Sequence, residues 1–156
     1  MIETLIDSAV IVDDLRAAGK AEAFDEILAA AVASGALDKA QSGPIRKRLV
    51  EREELGSTGI GNGVAVPHVK VATAERMVLC LARHVAGIDF DAIDGRPVHT
   101  LFVVIAPQDA AEDHLALLRW ISGLARDADF RRFVQDAEGA VQIRELLHEM
   151  HRERGS

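Results

Sequence analysis

One segment of this 156-residue chain stands apart chemically. Gly56-Ser57-Thr58-Gly59-Ile60-Gly61-Asn62-Gly63 holds four glycines in eight residues, and Val64-Ala65-Val66-Pro67-His68 follows at once. Glycine reaches positive φ at little steric cost, so successive amides can turn toward one point and form an anion-binding nest. Ser57 and Thr58 add hydroxyl donors. The same composition also suits an ordinary turn between a helix and a strand. Neither nucleotide fingerprint fits: a Walker loop needs Gly-Lys-Ser/Thr leading into a helix, and a dinucleotide loop opens a helix after a strand. Here the glycines lead into Val-Ala-Val, so an anion held there is expected to arrive on a partner protein.

Pro67 fixes its own φ and biases Val66 toward an extended backbone, which specifies the direction of His68. A neutral imidazole is a nucleophile near neutral pH and can carry a phosphoryl group on nitrogen. Two further residues point the same way. Arg52 lies about 20° round the helical wheel from Ile45, on the inward stripe of a helix that feeds the glycine segment. A guanidinium there either grips phosphate oxygens in a two-pronged contact, or snorkels to solvent and pairs with a carboxylate. His114 shares a helix face with Leu117, Leu118 and Ile121. It is either a satisfied core histidine or a donor to an oxygen that gains charge in transfer.

The elements that must position these groups are partly legible. Phe24, Ile27, Leu28, Ala31 and Val32 give a helical stripe over 21–34, with Gly35 as its left-handed cap. A second helix is expected from Ser42 as N-cap, with Pro44 in its first turn, to Leu55. Met77–Ala82 and Leu101–Ala106 are unbroken apolar runs of strand length, suited to strands covered on both faces. Val64–Val66 and Ile88–Phe90 are shorter strand candidates, Ala9–Val12 a weak one, and Asp94-Gly95 a turn. After Pro107, Asp109 and Glu112 resemble a capping box before the period of Leu117, Leu118, Ile121, Leu124 and Ala125. Helices over 129–136 and 141–150 follow, with a frayed tail, HRERGS. The class is α/β (mixed α+β): one domain over 1–156, a central sheet with helices on both faces.

Composition narrows the function. Twenty-five acidic against 18 basic residues give a net charge of −7, which argues against nucleic-acid backbone binding. A single cysteine, Cys80, excludes an internal disulfide and cysteine-based zinc frameworks and fits a reducing compartment. No signal peptide or membrane-length apolar run is visible, so a cytoplasmic location is expected. His148-Glu149-Met150-His151 is not the H-E-x-x-H pattern, and His84 and His99 are read as strand caps or solvent-facing groups; no metal site is expected. The run Arg46-Lys47-Arg48 reads as a solvated helix face.

The stretch from Glu51 to His68, with the string GSTGIGNGVAVPH, resembles the IIA component of the bacterial phosphoenolpyruvate-dependent phosphotransferase system, mannitol/fructose/nitrogen type. FDAIDGRPV at 90–98, LFVVIAP at 101–107 and His114-Leu115 fit as well, so the resemblance covers essentially the whole chain. It implies a phosphohistidine carrier, type 2 in architecture, without metal or organic cofactor. His68 is the implied phosphoryl acceptor on its tele nitrogen, His114 a stabilising group and Arg52 a phosphate contact. Ser57, Thr58, Gly59, Ile60, Gly61, Asn62 and Gly63 form the implied phosphate loop. The implied donor is the phosphocarrier HPr or its nitrogen-branch counterpart, docked by exposed acidic and apolar residues round His68. Val69 departs from the small or polar residue expected after the histidine. The motif is closer to the nitrogen-regulatory branch; the alternative is a sugar-specific IIA that phosphorylates a IIB domain during uptake.

Overall fold

The computed structural model describes residues 1–154. In chain order the elements are α1 (Ile2–Ser8), β1 (Val10–Val12), α2 (Lys20–Ala33), α3 (Lys39–Leu55), β2 (Gly59–Gly61) and β3 (Val64–Ala65). There follow β4 (His68–Val71), β5 (Val78–Ile88), β6 (Val98–Pro107), α4 (Ala111–Arg126), α5 (Ala128–Asp136) and α6 (Ala140–Arg154). The six strands form one mixed sheet, five of them in the order β1-β5-β6-β3-β2, with β4 also paired to β6. β5 and β6 pair antiparallel at its centre, while β3 and β4 lie in succession along the same edge of β6, both parallel to it.

The two apolar runs are unbroken because both faces of β5 and β6 are covered. Side chains alternate along a strand. Leu101, Val103 and Ile105 therefore join Phe24, Ile27, Leu28, Ile45 and Leu49 beneath α2 and α3. Phe102 and Val104 join Leu117, Ile121, Phe130 and Leu147 in the layer of α1, α4, α5 and α6. Helices thus flank both faces, the α/β class expected.

Several local expectations are corrected. α1 was not foreseen: seven residues are too few to hold a helix alone, and this one is held by burial of Ile2, Leu5 and Ile6. Arg144 further satisfies its end, donating to the Ile6 carbonyl at 2.5 Å and the Ala9 carbonyl at 3.0 Å. α3 begins at Lys39 with Asp38 as N-cap, not at Ser42, so Pro44 lies inside the helix. Gly43 precedes it and has no Cβ for the proline ring to strike, which lets the helix run through. Asp109 makes no capping box; Ala110 is the N-cap of α4, without a side-chain bond. Ile88 ends β5 instead of opening a separate strand, and α6 continues through His151–Arg154, the part of the tail expected to fray. Gly155 and Ser156 lie outside the described residues.

Candidate functional site

β4 is the edge on which His68 stands. Val69 and Val71 point into the layer beneath α2 and α3, so by alternation His68 and Lys70 leave the opposite face of the strand. His68 pairs in register with Val104, which belongs to the α4 layer. The N-terminal turn of α4 brings His114 there. The two imidazoles lie edge to face, centroids 5.6 Å apart at 73°. A cavity of about 390 Å³ opens beside them at the sheet edge, and the last turns of α3 complete its wall with Arg48, Arg52 and Leu55.

The backbone orients the acceptor. His68 Nδ1 lies 2.6 Å from the Val66 carbonyl oxygen. A carbonyl only accepts, so Nδ1 carries a proton, and in the neutral ring the lone pair is left on Nε2. Pro67 separates β3 from β4, and the ring folds back toward residue 66. His114 is 3% exposed and its Nε2 has no partner among the described residues. Burial first, then electrostatic interaction with His68 and Lys70, pushes its pKa below the ordinary histidine value, which favours neutral His114 at pH 7.

Arg52 is half-buried, with one guanidinium nitrogen donating to the Gly56 carbonyl at 2.7 Å and its remaining donors left over for the cavity. Arg48, one helical turn earlier, also lines the cavity; its run therefore splits, since Arg46 pairs with Asp25 and Lys47 lies 3.9 Å from Glu51. The i, i+4 spacing of Arg48 and Arg52 was the available signal. Lys70 was missed too, though its place two residues after His68 on a strand puts it on the same face.

The glycine segment differs from the expected nest. It is a β-hairpin, β2 to β3, turning at Asn62 (φ 59°) and Gly63 (φ 75°). Its amides are largely committed: Thr58 to the Glu53 carboxylate, Gly59 to Ser57 Oγ, Asn62 to Asp94. Ser57 Oγ donates to the Phe90 carbonyl and Ile60 projects outward. None of Gly59, Ile60, Gly61, Asn62 and Gly63 lines the cavity at His68. A carboxylate already fills the role an incoming anion was expected to take, so the hairpin shapes the strand that presents His68.

Glu53 is the residue sequence reasoning missed. It extends the Ile45–Leu49 stripe by four residues, and its side chain is buried. One carboxylate oxygen accepts from the Thr58 amide and hydroxyl, the other from Lys20 Nζ at 3.0 Å. This ties α2, α3 and the hairpin together. Glu53→Ala is expected to lower stability by about 2–3 kcal/mol in urea unfolding, because Thr58 and Lys20 lose a charged acceptor. Glu53→Gln should lose less, since its carbonyl still serves Thr58.

Residues 4–150 match the family described as the phosphoenolpyruvate-dependent sugar phosphotransferase system, EIIA 2. The chain belongs to this family. A nitrogen regulatory protein of Bradyrhizobium diazoefficiens is 35% identical over 147 residues, 94% of each chain. A fructose-specific EIIA component of Haloferax volcanii is 33% identical over 133 residues, 85% of each. Among solved structures, the nitrogen regulatory protein IIA-Ntr from Neisseria meningitidis superposes with a TM-score of 0.83 at 29% identity, covering 94% of this chain and 98% of that one. This IIA chain is therefore a phosphotransferase-system component of the type whose relatives include both nitrogen-regulatory and sugar-specific proteins. No helix of its described residues is long and apolar enough to cross a membrane.

Proposed function

We propose that this IIA protein carries a phosphoryl group on Nε2 of His68, received from the phosphohistidine of HPr or of a nitrogen-branch HPr-like protein. The observation that carries the reading is the Nδ1–Val66 carbonyl bond. It leaves one nucleophilic nitrogen and aims the proton away from it. In transfer, the Nε2 lone pair forms the new N–P bond as the donor's N–P bond breaks, and the donor imidazole leaves with the electron pair. The Nδ1–H stays on its carbonyl, which stabilises the positive charge the ring gains. His114 Nε2 and the unused donors of Arg52 supply hydrogen bonds to the equatorial oxygens. Such a loose transfer depends on positioning and charge stabilisation, which need neither nucleotide nor metal. The test is incubation with phosphoenolpyruvate, enzyme I and each carrier. Acid-labile phosphate should appear on one histidine, as the Nε2 adduct; a stable protein that gains none refutes the proposal.

The regulatory branch is the reading we favour, because the full-length nitrogen-regulatory relatives match most of both chains. The near-equal likeness to a fructose-specific component keeps sugar uptake through a IIB acceptor as the second reading. Transfer of the phosphoryl group to a IIB domain decides between them.

Docking is supported by two large apolar side chains at the rim. Leu55, which lines the cavity, is 86% exposed, and Leu115, next to His114, is 50% exposed. Leu55→Asp and Leu115→Asp are expected to raise the KM for the phosphocarrier about 10- to 100-fold, as loss of an interface anchor does. Unfolding should change little, since both sites are exposed.

A further inference from the structure

A cleft of about 510 Å³ lies away from His68, between the C-terminal half of α4 and the end of α6. Arg119, Arg126 and Arg154 line it, and among the described residues no carboxylate does. That is notable in a chain of net charge −7. Arg154 is held at 3.1 Å by Asp127. Arg119 and Arg126 have no ion pair among the described residues. Gly123, midway between them on α4, is what lets the third guanidinium approach: a Cβ built there would sit 2.9 Å from Arg154 Nη2. Glycine inside a helix costs about 1 kcal/mol relative to alanine, so its presence needs a gain elsewhere. Trp120, 7% exposed, lines the same cleft, and its indole N–H has no hydrogen-bond partner among the described residues. An unmade bond on a buried donor points to a missing acceptor.

We infer that this cleft is a binding site for a small polyphosphate-bearing metabolite of nucleoside di- or triphosphate class. Arg119 and Arg126, without carboxylate partners, and Arg154, held in place by Asp127, leave donors for anionic oxygens, and planar guanidinium forks suit phosphate. Arg119 and Arg126 are two helical turns apart, about 10 Å along the axis, which favours a phosphate chain over one isolated phosphate. The cleft volume accommodates such a ligand.

Trp120 is the only tryptophan of the chain, and there is no tyrosine, so its fluorescence reports the cleft directly. Full-length protein is titrated with ATP, tripolyphosphate and orthophosphate, with calorimetry in parallel in case the indole emission is insensitive. ATP and tripolyphosphate should bind saturably, orthophosphate at least about tenfold more weakly. The Arg119→Gln/Arg126→Gln double variant should weaken ATP binding about tenfold or more, through lost charge-assisted contacts. His68→Ala should bind as wild type does, which separates this site from the phosphoryl acceptor. No saturable signal by either method up to millimolar ATP overturns the inference. So does equal, weak binding of all three anions, or binding that survives the double variant.

Discussion

His68→Ala is expected to abolish phosphoryl acceptance, leaving only background incorporation when the protein is incubated with phosphoenolpyruvate, enzyme I and the phosphocarrier. Removing the nucleophile removes the covalent route, and no other imidazole stands ready to replace it. His114 is the nearest, but it is 3% exposed. His84 Nε2 lies 2.8 Å from the Ala17 carbonyl, and His99 Nδ1 lies 3.1 Å from two carbonyls of the β5 bulge. His148 faces Asp7 at 2.8 Å, and His151 packs edge-on against Trp120. The fold should be unchanged, because His68 is only half-buried and Val69 and Val71 hold β4 to the core. Near-native phosphate uptake by a folded His68→Ala protein would remove His68 from the acceptor role.

His114→Ala is expected to slow transfer about 10²- to 10³-fold, the usual effect of removing one donor from a charge-stabilising site. His114→Gln should recover part of the rate, because an amide N–H can replace the imidazole N–H. A second readout, in pH, tests the burial of this residue in its neutral form. Its folded pKa is held below the ordinary value of 6.5, by burial and then by electrostatic interaction with His68 and Lys70. The unfolded chain therefore takes up a proton that the folded chain refuses as pH falls. Its contribution to stability is complete above 6.5 and is lost as pH falls through that value toward the lowered folded one. Urea unfolding of wild type and His114→Gln between about pH 7 and about pH 5 should show the smaller decline in the variant. Equal declines in both would place the titrating group elsewhere.

Much of this was legible before any coordinates, and the reasons are local. An unbroken apolar run such as LFVVIA forms a strand with two covered faces, because alternation sends half its side chains each way. The stripe from Phe24 to Val32 can bury itself only as a helix. Pro67 before His68 limits two residues' backbone freedom, so the direction of the imidazole is written into the sequence. What was not legible depends on distant partners. α1 has too few residues to be helical until Arg144 and the α4–α6 layer receive it. The glycine segment reads as a nest or a turn from composition; only Glu53, Ser57 and Asp94, placed by tertiary structure, take its amides and make it a hairpin.

The residue types at the site, the histidine after proline and the arginine on the last turn of its helix, follow from the sequence alone, since both rest on neighbours within a few positions. The meeting of His68 with a histidine 46 positions on, the place of Arg48 at the cavity wall, and the gathering of three arginines round Gly123 were decided by the packed fold. Only the docking of α3 and α4 across the sheet edge, and of α6 on α4, sets those separations, and such packing energy is spread over contacts that no short stretch of chain contains.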